Sequence, residues 1–442
     1  MAVRGLQSQM MRRLYTLLIY CAVPFAFGAV LWRGFRDRAY WRALSERFGY
    51  GRTCDASCIW LHAVSLGEMT AAAPLVRALR ARYPQSPLLL TTATPTGRAR
   101  ARDLFGDAVD VRFLPYDMPA AVRRFLDRTR PRLAIIMETE LWPNLFGECT
   151  LRGVPLMLAS ARLSPKSVAR YRRFGNLFRG IFSASSLIAA QTREDAARFV
   201  AIGAQSAKTH VIGNIKFDLQ SSPEELFEGA SLRCALGDSR PIWIAGSTHA
   251  GEEEQVLAAH QELRAGQVNA LLLLVPRHPE RFPAVTTLLN RQGWRFTRWS
   301  SGIMPDRSAQ VVLVDTVGDL ASLYAAADVA FVGGSLVGGV GGHNLLEPAS
   351  FGVPVLTGPG YFNARDIARL LLLQGAALQV DSASELAAAV TQLLADPALR
   401  QRMGAIGRHV VESNRGSVSR LLELIESLLP DQPAGAHRSA DY

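Results

Sequence analysis

The chain has 442 residues, 49% hydrophobic and 20% charged, so it is a folded protein, too long for one ordinary core and suited to two or three domains. Lys and Arg outnumber Asp and Glu by 49 to 38, and the net charge of +11 suits an anionic partner (nucleic acid, a phosphorylated substrate or an anionic membrane surface) or, equally, a solvated basic surface. The basic residues are mostly Arg and are dispersed, without the dense tract of a nucleic-acid-binding arm, and five widely spaced cysteines argue against a disulfide framework.

Residues 14–32 carry no charge, a run close to the ~20 needed to span the hydrocarbon core of a bilayer. Arg12 and Arg13 precede it, Arg33, Arg36 and Arg38 follow, and Tyr15, Tyr20 and Trp32 are placed as interfacial anchors. Ala26-Phe-Gly28 has the look of a small-residue cleavage site, but the basic cluster after the run opposes export. A single-pass or interfacial anchor with a cytoplasmic catalytic part is the expectation.

Beyond the anchor, apolar runs of strand length alternate with helical patterns. Residues 58–64, 88–92, 109–114, 133–137, 154–159 and 187–190 read as buried parallel strands; 241–245, 270–275, 311–314, 329–332, 353–357 and 377–380 form a second set. That rhythm predicts two doubly wound α/β domains, and ligands of such sheets gather at the carboxyl ends of the strands. Residues 1–50 are assigned to the anchor and its basic flank, 51–212 to a first Rossmann-like domain and 213–238 to a linker marked by Ser221, Ser222 and Pro223. A second Rossmann-like domain is expected over 239–430, followed by a disordered tail over 431–442.

Several strand ends carry candidate chemistry. Ser65-Leu-Gly-Glu68 is a capping box by pattern; alternatively Glu68 is a general base for an acceptor hydroxyl, with burial raising its pKa and the helix N-terminus lowering it. Met137-Glu138-Thr-Glu140-Leu-Trp-Pro-Asn144 places two carboxylates after an apolar strand, where they can bind a cation, orient a catalytic group or cap the next helix. In Gly213-Asn-Ile-Lys216-Phe-Asp218 the lysine can neutralise a phosphoryl leaving group or be one more basic surface residue. Gly246-Ser-Thr-His249 and Pro276-Arg277-His278-Pro279-Glu280-Arg281 follow neighbouring apolar runs, and Arg277 suits a bidentate phosphate contact. The densest signal is Gly333-Gly-Ser-Leu-Val-Gly-Gly-Val-Gly-Gly-His-Asn344-Leu-Leu-Glu347-Pro348, which reads either as a backbone cradle for phosphate or as a flexible turn capped by Asn344 and Glu347. No P-loop or dinucleotide-fold glycine fingerprint is present, and no D-x-D, so a metal-independent reaction is favoured. Cys54-x-x-x-Cys58 lacks a second ligand pair for zinc.

These motifs, in this order and from the anchor to about residue 429, resemble the Kdo (3-deoxy-D-manno-octulosonic acid) transferases of lipopolysaccharide and lipid A biosynthesis. The resemblance rests on Leu61-His-Ala-Val-Ser-Leu-Gly-Glu68, the segment 137–144, the segment 213–218, the segment 276–281 and the glycine-rich segment. It implies a GT-B glycosyltransferase, two Rossmann-like domains with the active site in the cleft between them, at the cytoplasmic face of the bacterial inner membrane. It implies CMP-Kdo as donor, a lipid A precursor (lipid IVA) as acceptor, an anionic membrane surface as partner, no nucleic acid, no cofactor and no metal. By the family's pattern Glu68 is the catalytic base, and Glu138 and Lys216 stabilise the transition state. Pro276, Arg277, Val317, Gly318, Asp319, Asn344, Leu345, Leu346 and Glu347 are the CMP-binding positions.

The resemblance also implies inverting transfer with release of CMP. In this chain the stretch from 335 to 341 is a residue longer and richer in glycine than the family's, so contacts on Gly334 or Ser335 are not carried over. A nucleotide-sugar epimerase on the same scaffold is the rival enzyme class, and an inactive, membrane-tethered nucleotide-sugar binding protein is the non-enzymatic one.

Overall fold

The computed structural model describes all residues except 1, 174, 183–185, 219–222, 238, 267–268 and 430–442. The expected tail and the Ser221–Ser222 part of the expected linker therefore lie outside the described residues. The chain divides into two compact units, one comprising residues up to Asp218 and from Arg415 onward, the other the residues from 219 to Asn414.

The first unit is built on seven parallel strands: β1 (Ile59–His62), β2 (Leu88–Thr92), β3 (Asp110–Phe113), β4 (Leu133–Met137), β5 (Leu156–Ala161), β6 (Ser186–Ala190) and β7 (Thr209–Val211). Their order is β3-β2-β1-β4-β5-β6-β7, a doubly wound Rossmann-like arrangement. Alternate strand residues face opposite layers. Ile59, Leu61, Leu90 and Ile135 pack with Met69, Leu75, Val76 and Leu79 of the helix Leu66–Arg82; Trp60, Leu89 and Ile136 pack with Val122, Phe125, Phe146 and Phe199. Where both faces are covered, as in β1, β2, β4 and β5, the strands are mostly apolar, which is why their runs are visible in the sequence.

The second unit has seven more: β8 (Ile242–Thr248), β9 (Leu271–Pro276), β10 (Phe296–Arg298), β11 (Val311–Leu313), β12 (Val329–Val332), β13 (Val355–Thr357) and β14 (Ala377–Gln379). The order is β10-β11-β9-β8-β12-β13-β14, all parallel. Twelve strands match the expected runs. The two additional ones, β7 and β10, are three-residue edge strands that are only partly buried, so they show no apolar run.

Each sheet reverses its winding once. In the first the reversal lies between β1 and β4; in the second it lies between β8 and β12. These switch points leave a crevice at the carboxyl ends of the strands, the usual ligand position in open α/β sheets.

The sequence reading carries the second domain to residue 430, whereas the structure returns the chain to the first unit at Arg415. Leu421, Ile425 and Leu429 of the last helical segment enter the same apolar cluster as Leu75 and Leu79. Asp218 fastens that return: its two carboxylate oxygens accept from Gly416 N–H at 2.6 Å and Val418 N–H at 2.7 Å, capping the helix Ser417–Leu428. Asp218→Ala is expected to cost about 1–2 kcal/mol, as lost caps do. Hydrogen exchange should show faster exchange confined to 416–428; unchanged protection there would contradict the role.

The N-terminal helix (α1, Ala2–Gly34) is continuous through Pro24, and its part Met10–Gly34 is long and apolar enough to cross a membrane. One stripe of α1 is docked on the first unit. Arg12 Nε donates to Asn144 Oδ1 at 3.2 Å, Thr16 Oγ1 donates to the same oxygen at 3.0 Å, Val23 is buried beside Met118 and Ala121, and Phe27 meets Phe48 edge-on at 5.2 Å. Tyr15, expected as an interfacial anchor, instead donates its hydroxyl to Asp117 at 2.9 Å. Asp117 is buried and also accepts from the N–H groups of Asn144 and Leu145, at 3.0 and 2.7 Å, at the start of the helix Pro143–Leu151. Leu17, Leu18, Phe25 and Trp32 remain exposed.

Candidate active site

In the first unit the switch-point strands deliver the acidic candidates. Ser65 caps the helix Leu66–Arg82, its hydroxyl accepting from Glu68 N–H at 3.3 Å. Glu68 answers by accepting from Val64 N–H at 2.9 Å. The capping pattern is thus realised, one residue upstream of the usual partner. The competition on the Glu68 carboxyl is also decided: burial dominates and pushes its pKa up to about 7, against the Val64 hydrogen bond and with help from the charges of Glu138 and Glu140.

Glu138 follows β4 directly with φ 54°, a left-handed conformation that a non-glycine residue adopts at a cost of about 1–3 kcal/mol. Its N–H is held by Ala159 O at 3.0 Å, and Thr139 Oγ1 donates to Arg162 O. The strained turn directs Glu138 and Glu140 toward Glu68 closely enough for their charges to act on it. Burial raises the Glu140 carboxyl as well, and Glu138 adds to the rise. Lys216 lies on a short 3-10 turn, Ile215–Asp218, packed against the helix that carries Glu68. Among the described residues it forms no ion pair, and its N–H donates to Asn214 Oδ1 at 3.0 Å. Glu68, Glu138 and Lys216 are therefore all carried by the first unit, and Glu140 joins them as a second carboxylate acting on Glu68.

In the second unit the predicted nucleotide positions also stand at carboxyl ends. Pro276 ends β9, and Arg277 follows it with its N–H on Thr248 O at 2.9 Å and its side chain exposed. Val317 and Gly318 are exposed in the turn after β11, where Thr316 Oγ1 donates to Asp319. Asn344 and Glu347 engage each other: Asn344 Nδ2 donates to Glu347 Oε1 at 3.2 Å while Asn344 Oδ1 accepts from Leu346 N–H at 3.1 Å. The following helix, Leu346–Ser350, has five residues. Leu345 and Leu346 are buried, so only their backbones are available to a ligand.

The glycine-rich segment binds a carboxylate of the chain itself. The sequence leaves it open between a phosphate cradle and a capped turn and carries over no contact on Gly334 or Ser335; in the structure its first N–H groups are occupied by an internal carboxylate. Glu252, fully buried at the start of the helix Glu252–Ala265, accepts from Gly334 N–H at 2.6 Å, Ser335 N–H at 3.1 Å, Leu336 N–H at 3.0 Å and His249 N–H at 3.2 Å. Successive backbone N–H groups form a concave anion site, and here the protein fills it with its own side chain. Gly333 is required at this approach, because a Cβ there would lie 2.7 Å from Glu252 Oε2. The sequence reading missed Glu252, since three acidic residues opening a helix look like solvated partners of the helix dipole. His249 and His343 meet beside it, Nε2 to Nε2 at 2.8 Å.

Comparisons with known proteins agree with this architecture. Residues 42–219 match the family model for 3-deoxy-D-manno-octulosonic-acid transferase (kdotransferase), and 307–410 match that for glycosyl transferases group 1. The chain is 43% identical over 427 residues to the 3-deoxy-D-manno-octulosonic acid transferase of Haemophilus influenzae, covering 95% of this chain and 99% of that one. It is 38% identical over 432 residues to that of Bordetella pertussis, with coverage of 95% and 99%. Among solved structures, UDP-GlcNAc 2-epimerase from Neisseria meningitidis bound to UDP-GlcNAc superimposes with a TM-score of 0.56, covering 84% of this chain and 100% of that one. At 15% identity that likeness concerns the fold, the two Rossmann-like domains of the GT-B class. Sequence, fold and relatives converge: this chain is a glycosyltransferase and belongs to the 3-deoxy-D-manno-octulosonic acid transferase family.

Proposed function

We propose that the chain transfers Kdo from CMP-Kdo to a sugar hydroxyl of a lipid A precursor, lipid IVA, with inversion at the anomeric carbon and release of CMP. The observation that carries this reading is Glu68: a half-buried carboxylate at the switch point of the first sheet, its pKa raised to about 7. A base poised there is about half ionised at neutral pH, and its ionised form is basic enough to accept a proton as the hydroxyl attacks. The acceptor oxygen forms its bond to the anomeric carbon, the bond from that carbon to the phosphate oxygen breaks, and the proton passes to Glu68. CMP leaves with the electron pair, so no separate acid is needed.

Glu138 and Lys216 stabilise the charge that develops in the transition state, and Arg277 with the turn 317–319 and the segment 344–347 holds CMP. The exposed apolar side of α1 and the basic residues Arg33, Arg36 and Arg38 support attachment at the cytoplasmic face of the inner membrane. Incubating the purified protein with CMP-Kdo and lipid IVA and weighing the products tests the proposal. An acceptor of unchanged mass would sink it and leave the epimerase or binding-protein readings.

The pH profile gives a sharper test. A general base must be deprotonated, so kcat/KM is expected to rise with pH and level off above about 7. Glu140→Gln removes a neighbouring negative charge that holds the Glu68 pKa up, so the rising limb should move to lower pH. A limb displaced upward, or unmoved, would contradict the coupling.

A further inference from the structure

His249, His278 and His343 come from the carboxyl ends of three adjacent strands: His249 directly after β8, His278 after β9, and His343 from the glycine-rich segment after β12. The β8–β12 pair is the switch point of the second sheet, so His249 and His343 straddle it. Their ring planes lie 6° apart, and Nε2 faces Nε2 at 2.8 Å; His278 presents its ring to His249 edge-on, with centroids 5.3 Å apart. Two lone pairs, or two N–H groups, would repel at 2.8 Å. One ring therefore donates and the other accepts, and the pair shares a single proton.

The pair is held in place by one carboxylate. Glu252 binds the His249 N–H and the three N–H groups that begin the segment leading to His343. The charged and titratable groups facing the rings are Arg277, Arg281, His278 and Glu252. Burial, then Arg277, lowers His343 to about 4; burial, then His278, lowers His249, with Glu252 opposing. A negative charge brought to such a neutral pair, among cations at a ligand position, favours its protonated form.

We infer that the His249–His343 pair takes up a proton when the anionic phosphodiester of the nucleotide donor binds, opening its internal hydrogen bond so that both rings donate to the ligand. This rests on the reading of Arg277 and 344–347 as the donor site. The proton comes from solvent and returns there when the nucleotide leaves.

The test uses the full chain in detergent and the methyl ester of CMP, a phosphodiester that does not itself titrate near neutral pH. Calorimetry in two buffers of different ionisation enthalpy, at about pH 6 and about pH 8, counts protons bound per nucleotide. The expected result is net uptake, larger at the lower pH, with affinity rising by up to about tenfold per pH unit as pH falls. His249→Gln and His343→Gln should each abolish the uptake while the nucleotide still binds. Binding without uptake in the parent protein, or uptake unchanged in both variants, overturns the inference and leaves the donor site standing. Absence of nucleotide binding by the parent protein overturns the donor-site reading and the inference with it.

Discussion

Replacing Glu68 with glutamine is expected to lower Kdo transfer by about 10²–10⁴-fold, the range that a positioned general base contributes. Glutamine is the informative substitution because Glu68 has two occupations. It accepts the Val64 N–H at the head of the helix Leu66–Arg82, and alanine would lose that cap together with the base. The amide oxygen of glutamine keeps the cap and removes the basicity. Stability should move the other way. The folded-state pKa lies above the ordinary carboxylate value, so the stability this group contributes is present at low pH and is lost as pH rises through about 7. At pH 8 the glutamine variant should therefore melt no lower than the parent. CMP affinity should be unchanged, since Glu68 belongs to the first unit and the proposed CMP positions to the second. Near-normal turnover of this variant would refute the assignment of the base.

Glu252→Ala is expected to have the largest effect on stability. Four N–H groups, three of them from the glycine-rich segment, would lose their acceptor in a buried setting. At about 1–3 kcal/mol for a buried group left unpaired, and with partial repair by water, the loss is roughly 3–5 kcal/mol. For a unit of this size that corresponds to a fall in Tm of roughly 10 °C, measurable by scanning calorimetry. Nucleotide affinity should fall with it, because the same carboxylate fixes the chain on both sides of the His249–His343 pair. Unchanged melting and unchanged affinity together would show that the segment holds its shape without Glu252.

What was legible in the sequence follows from which interactions are local. Strands buried on both faces declare themselves as apolar runs, and Ser65 declares a helix start because its partner is three residues away. Edge strands such as Phe296–Arg298 are half solvated and carry no such pattern. The glycine-rich segment stays ambiguous in the sequence for a different reason. Its glycines correctly signalled an approach by an oxygen ligand, but that oxygen belongs to Glu252, 82 residues upstream of Gly334. Spacing cannot distinguish a substrate's anion from the protein's own. Asp218 and the last helix show the same limit, since an amphipathic helix does not state which of two cores it completes. The Glu68 pKa lay beyond the sequence because it depends on how far burial outweighs one hydrogen bond.

The return of the chain at Arg415 has a consequence for how the protein is made. Residues 219–414 are contiguous, so everything their unit requires has been synthesised before the last helix appears. The first unit, although it begins earlier, waits for Leu421 and Ile425 to cover the cluster around Leu75 and Leu79. At about 5–20 residues per second, translation of the intervening stretch takes roughly 10–40 s. Throughout that interval the residues that cover this cluster, and the Gly416 and Val418 N–H groups that Asp218 binds, do not yet exist. Order of synthesis and order of completion are thus reversed: the unit started first is finished last.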